Sequence, residues 1–120
     1  LSERDLAKFQ KLLIEARAEL VGDLSAIEQS ALEARGEGAL PIHMADLGSD
    51  TYDQDFMLGL AESERRRLRE IDEALKRIDD RTYGICLMTG KPIPKARLNA
   101  KPWAKYTIEA ARQLEAEGRL

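Results

Sequence analysis

Thr82–Pro102 reads TYGICLMTGKPIPKARLNAKP, and it decides the architecture of this 120-residue chain. Cys86 stands where a C-x-x-C pair would begin, but the partner position is Thr89. The turn Thr89-Gly90-Lys91-Pro92-Ile93, of the kind that follows the second cysteine of a small zinc finger, is intact. A second ligand pair would fall around Thr107 and Ala110. A structural zinc takes four thiolate or imidazole ligands in a tetrahedron. Here one cysteine remains, and the single histidine, His43, lies far away in sequence. Cys86, Thr89, Thr107 and Ala110 are therefore remnant metal positions, expected to fold without zinc.

Outward from this segment the pattern is helical. Leu6, Phe9, Leu13, Ala16, Leu20, Leu24, Ile27, Ala31 and Ala34 recur at spacings of three and four, a narrow apolar seam on a long helix. Ser2-Glu3-Arg4-Asp5 is a capping-box pattern that starts it, and Arg35-Gly36-Glu37-Gly38 stops it. A second seam runs through Met57, Leu60, Glu64, Leu68, Ile71, Leu75 and Ile78. Its polar member, Glu64, is either a register device or a mis-phased turn. Neither helix buries its seam alone, so the two are expected to pair as an antiparallel coiled-coil hairpin over 1–80, with a tip at about 36–51. Gly48-Ser49-Asp50 is the expected N-cap of the second helix, with Asp53 in its first turn. Residues 81–120 form the second expected domain. It is a finger-like globule with short strands around Ile85–Leu87 and Pro92–Pro94, then a helix from about Trp103 to Glu117 whose buried stripe is Ala104, Ile108, Ala111 and Leu114. Tyr83, Ile85, Ile93, Leu98, Trp103 and Ile108 are the side chains expected to replace the metal as the source of stability. The fold class is mainly α.

Composition supports slender helices over a generous core, with aromatics at 5% and charged residues at 34%. The charge is lopsided. Residues 1–64 carry 5 Lys+Arg against 14 Asp+Glu, a net of −9; residues 65–120 carry 14 against 8, a net of +6. Such polarity points to a polarised partner, and the acidic half would be repelled by a phosphate backbone. One cysteine excludes an internal disulfide and fits a reducing cytosol. No apolar run approaches the ~18 residues of a membrane span. The chain opens on Leu1 rather than Met, which fits a missing or trimmed start. There is no Ser/His/Asp or Cys/His arrangement, no P-loop and no G-x-G-x-x-G, so a catalytic role is not expected.

The finger remnant, with Met44-Ala45-Asp46-Leu47-Gly48-Ser49-Asp50 and Tyr52-Asp53-Gln54-Asp55-Phe56, resembles the DksA/TraR family of bacterial RNA polymerase regulators. TYGxC, TGxPI, ARLxAxP and the Asp-rich segment stand in the family's order and spacing, over roughly Leu6 to Glu117. The resemblance implies a cytoplasmic, monomeric transcription regulator that binds RNA polymerase, not a promoter sequence. Its hairpin would enter the secondary channel, and its tip would destabilise open promoter complexes. It assigns the tip to Asp46, Gly48 and Asp50, with Asp46 aligned to the tip aspartate of a D-x-x-D-x-A motif. In this chain His43 replaces the first aspartate and Gly48 the alanine. It makes Arg65, Arg66, Lys91, Arg97 and Lys101 candidate contacts for polymerase or for guanosine tetraphosphate. Lys101 matches a basic family position, while Ala111 falls where another would be, so the nucleotide site is incomplete. A transcript-cleavage factor using tip carboxylates to hold a second Mg²⁺, and a coiled-coil adaptor outside transcription, are the alternatives. A zinc-free member would also keep working when zinc is scarce or when oxidants attack thiolate clusters.

Overall fold

A computed structural model describes the backbone of residues 1–34 and 47–119 and the side chains of residues 1–30 and 58–119. Four helices follow in order: α1 Glu3–Ala34, α2 Leu47–Asp79, α3 Lys95–Ala100 and α4 Ile108–Ala116. The chain divides into two compact units, Leu1–Arg17 with Arg69–Leu120, and Ala18–Leu68.

The first unit is built on the opening of α1 and the end of α2, which run antiparallel: Glu3 pairs with Arg81, and Arg17 with Asp72 at 2.8 Å. The capping box forms as the sequence predicts. Asp5 N–H donates to Ser2 Oγ and Ser2 N–H donates to Asp5 Oδ2, both at 3.1 Å. These bonds satisfy donors that a helix start leaves without intrahelical partners. Lys95, at the start of α3, binds the same carboxylate at 3.0 Å, so one aspartate caps α1 and ties it to the finger remnant. The Lys95 ammonium and the Ser2 donors bring the Asp5 carboxyl down to about 2. A depressed carboxylate contributes stability that is fully present above its unfolded value near 3.9 and is lost as pH falls toward 2. The melting temperatures of wild type and Asp5→Asn should therefore differ at neutral pH and converge between about pH 4 and 2. Curves that stay parallel across that range would refute this role.

Phe9 and Leu13 of α1 and Ile71, Ala74 and Ile78 of α2 are buried, and the Phe9 and Tyr83 rings lie 5.7 Å apart at 41°. α2 ends in a Schellman motif, with Arg81 N–H on the Ile78 carbonyl and Thr82 N–H on that of Arg77. The left-handed position this motif needs is taken by Arg81 (φ 64°), not by glycine. α4 ends the same way with Gly118 at φ 69°.

In the second unit Leu24 and Ala61 are buried, Leu20, Ile27, Glu64 and Leu68 are half-buried, and Arg65 meets Glu28 at 3.2 Å. The α1 seam from Leu6 to Ile27 is buried or half-buried at every predicted position. Met57, Ala31 and Ala34 fall outside the described side chains. The α2 seam needs one correction, because Leu60 is 41% exposed and Ala61 takes the inward place. The small methyl fits where the larger side chain is turned about 100° away. Glu64 does lie in the seam, and its Oε2 is buried without a hydrogen-bond partner. Leaving a buried acceptor unsatisfied costs roughly 1–3 kcal/mol, and partial exposure puts Glu64 at the low end. Glu64→Leu should raise the melting temperature by a few degrees. A lower melting temperature would show that the carboxylate has a partner in solution.

Two further expectations are corrected, on the strands and on the start of α2, and one element, α3, was not anticipated. Among the described residues the finger remnant has no strands, only an isolated antiparallel bridge between Ile85 and Pro92. A short helix, α3, lies between Pro94 and Pro102. α2 begins at Leu47, so Gly48, Ser49 and Asp50 are inside its first turn and not an N-cap before it, while Asp53 falls in the second turn.

Candidate functional site

The finger remnant is organised around Cys86, which is 1% exposed. Its N–H donates to the Lys91 carbonyl at 2.8 Å, and its carbonyl accepts from Gly90 N–H at 2.9 Å, which closes the knuckle turn. Gly90 takes φ 73°, a conformation that glycine adopts without strain. Across the knuckle, Thr107 N–H donates to Cys86 Sγ at 3.4 Å, with Thr107 Oγ1 4.0 Å from the sulfur. Thr107 Oγ1 also accepts from Ala110 N–H at 3.2 Å, making Thr107 the N-cap of α4. The helix therefore starts at Ile108, not at the expected Trp103. The stripe is Ala110 and Leu114, with Ala111 half-buried; Ile108 points outward at 42% exposure. Ile85 is likewise exposed, so the buried side chains of the module are Tyr83, Ile93 and Leu98, with Ala104, Ala110 and Leu114, and Trp103 half-buried. Tyr83 Oη donates to the buried Pro102 carbonyl at 2.7 Å, and burial pushes its phenol pKa upward.

The backbone therefore brings Cys86, Thr107 and the Ala110 amide together. Burial opposes ionisation of the thiol, but the Thr89 hydroxyl and the amides of Thr107, Thr89 and Met88 outweigh it and bring its pKa to about 7. These residues do not fit zinc. One thiol, two neutral hydroxyls and a methyl group cannot supply the thiolate and imidazole set that the ion requires. No cluster of three or more His, Cys, Asp or Glu able to hold a metal occurs among the described residues. Hydrogen bonds and a helix cap stand where metal–ligand bonds would.

Arg97 and Lys101 line a cleft of about 160 Å³ with Lys105, Trp103 and Tyr106. Arg97 Nε donates to the Tyr106 carbonyl at 2.8 Å and holds this rim in place. Glu70 and Glu115 also line the cleft, as does Ala111. Sequence reasoning passed over these two carboxylates, which come from α2 and α4; the alternation of Lys and aromatic residues in Lys101-Pro102-Trp103-Ala104-Lys105-Tyr106 was a signal for the aromatic wall. Lys91 is not among the residues lining this cleft and lies on the knuckle turn. Arg65 and Arg66 are exposed on α2 in the other unit, Arg65 paired with Glu28 and Arg66 3.5 Å from Ser63 Oγ. Asp46 and His43 lie outside the described residues, as do the side chains of Gly48-Ser49-Asp50.

Two long helices paired antiparallel, with a small finger-like module that keeps one cysteine among its four ligand positions, define a helical hairpin protein with a degenerate zinc-finger module. Residues 81–116 match the family model described as the prokaryotic dksA/traR C4-type zinc finger. The RNA polymerase-binding transcription factor DksA of Caulobacter vibrioides is 30% identical over 120 residues, covering 100% of this chain and 82% of that protein. The solved structure of transcription factor DksA2 from Pseudomonas aeruginosa superimposes with a TM-score of 0.84 at 31% identity, over 99% of this chain and 89% of that one. That of the RNA polymerase-binding transcriptional regulator of Chlamydia trachomatis gives 0.60 at 26% identity, over 98% and 94%. The chain belongs to the DksA/TraR family.

Proposed function

We infer that this chain is a transcription regulator that binds RNA polymerase, inserts its helical hairpin into the secondary channel and destabilises open promoter complexes through its tip. Membership of the DksA/TraR family, with relatives named for polymerase binding that match along the whole chain, carries this reading. The charge pattern supports it: the −9 half holds the hairpin tip, and the +6 half holds the finger remnant. A slender helical pair reaches into a pore that a globule cannot enter, and a carboxylate at its end would act on the electrostatics around a catalytic Mg²⁺.

Zinc independence is part of the same reading, supported by the Cys86–Thr107 network and the donor set around it. Guanosine tetraphosphate takes a lesser role. Arg97, Lys101 and Lys105 offer positive charge in the cleft, but Ala111 contributes none and two carboxylates oppose a polyanion. The deciding experiment measures binding to core polymerase and the lifetime of open complexes at a ribosomal promoter, with and without the nucleotide. Binding with a shortened lifetime supports the reading. Failure to bind polymerase would end it and favour an adaptor outside transcription.

A further inference from the structure

The two compact units are built to unequal strength. In Leu1–Arg17 with Arg69–Leu120, Phe9, Leu13, Ile71 and Leu98 are fully enclosed, and Tyr83, Ile93 and Leu114 extend the same core. In Ala18–Leu68 the buried side chains, among the described residues, are Leu24 and Ala61, and alanine contributes a single methyl. Val21, Leu58 and Leu60 of that unit leave large apolar groups in water, at 40%, 49% and 41% exposure. Hydrophobic stabilisation follows the apolar area removed from water, so little holds this stretch of α1 against α2. The Arg65–Glu28 pair is solvated on both sides and adds little.

The helices are also weaker there. Gly22 lies inside α1 and Gly59 inside α2, and a methyl added at either would meet nothing within 4 Å. Packing therefore does not require glycine at these positions, yet each weakens its helix about fivefold relative to alanine. The parts of the same helices in the other unit, Glu3–Arg17 and Arg69–Asp79, contain no glycine. Glu64 adds a buried carboxylate oxygen without a hydrogen-bond partner. Arg77 Nη2 is a comparable defect in the other unit, but it is set against the larger core. Few buried apolar contacts and weak helix interiors are what define a segment that opens below the global unfolding limit.

We propose that Ala18–Leu68 opens and closes as a unit of low stability while the unit bearing the finger remnant stays folded, and that binding to RNA polymerase shuts it. The second half rests on the polymerase-binding reading. A partner that binds the packed helices and not the separated ones shifts the population toward packing, to the extent of its differential affinity.

The test is hydrogen exchange of the full chain, followed peptide by peptide, alone and with core RNA polymerase. In the free protein, amides of 18–30 and 58–68 should exchange at least about tenfold faster than those of 6–17 and 69–78. Gly22→Ala with Gly59→Ala should slow exchange in the first set by roughly tenfold or more. Leu98→Ala, in the other unit, should speed exchange in 6–17 and 69–78 and leave 18–30 and 58–68 as in wild type, because their opening does not pass through loss of that core. Thr107→Val makes the same comparison with a milder substitution if Leu98→Ala does not fold. Equal exchange in both sets, or equal acceleration of both by Leu98→Ala or Thr107→Val, would show one cooperative block and overturn the proposal. Polymerase should slow exchange in 18–30 and 58–68. Binding without that protection overturns the shutting step and leaves the polymerase reading intact. Absence of binding defeats that reading together with the shutting step, and the free-protein exchange then decides the opening by itself.

Discussion

Replacing Asp46 with asparagine is expected to cut the protein's effect on open-complex lifetime by about ten- to a hundredfold while changing its affinity for polymerase far less. The substitution removes one charge and nearly preserves shape. A hydrogen bond to a charged group is worth roughly 1.5–3 kcal/mol, and each 1.36 kcal/mol in a barrier is about tenfold in rate. If the hairpin flanks and the finger remnant hold the polymerase, the tip adds only a few charged contacts at the active centre, so binding and regulation should separate. Asp53→Asn is the control. α2 begins at Leu47, so residue 53 stands a turn further into the helix than an N-cap reading of Gly48-Ser49-Asp50 puts it. Its loss should leave transcription close to wild type. The measurement is open-complex lifetime beside polymerase affinity for both variants. Full regulation by Asp46→Asn, or equal losses of binding and regulation, would remove the tip assignment.

The α1 seam was legible because a single helix packed on one neighbour needs only the right period, and the seven positions from Leu6 to Ile27 supply it. The capping box at Ser2–Asp5 was legible for the same reason: it is local chemistry at fixed spacing. Leu60 misled because hydrophobicity favours leucine over alanine, whereas space in a close helix pair favours the smaller residue at Ala61. Ile85 and Ile108 misled for a different reason. Both were assigned inward on apolarity alone, yet each adjoins a residue whose side chain must face the core. Cys86 inward forces Ile85 outward by the period of two, and Thr107 as N-cap with Ala110 and Leu114 inward turns Ile108 to solvent. α3 has six residues between two prolines, too few to show any period. Of the candidate site, the link between Cys86 and Thr107 was legible from ligand spacing, because that spacing belongs to the backbone and outlives the ligands. The carboxylates Glu70 and Glu115 in the basic cleft were not, because they arrive from helices distant in sequence.

Leu98→Ala should destabilise the protein by about 2–5 kcal/mol, lowering the melting temperature on the order of 10 °C, whereas a metal chelator should leave the wild-type melting curve unchanged. The contrast follows from where the finger's stability originates. Structural zinc supplies on the order of 10 kcal/mol of apparent folding energy to a small finger. Here the ligand positions are a thiol, two hydroxyls and a methyl, so on the zinc-free reading proposed above packing is expected to carry what coordination otherwise would. Leu98 is 0% exposed and closes the core over Gly84, whose backbone sits at φ 84°. Shortening it leaves a void beneath the knuckle that α3, with no side-chain cap and six residues, is poorly built to fill. The Thr107 network adds less. Thr107→Val removes the hydroxyl that caps α4 and faces Cys86 Sγ, at a cost of about 1 kcal/mol. Thermal melts of wild type, Leu98→Ala and Thr107→Val, each with and without chelator, rank the three contributions. Stoichiometric zinc in the purified protein, lost on chelation together with helicity, would overturn the ranking, and so would a Leu98→Ala variant as stable as wild type.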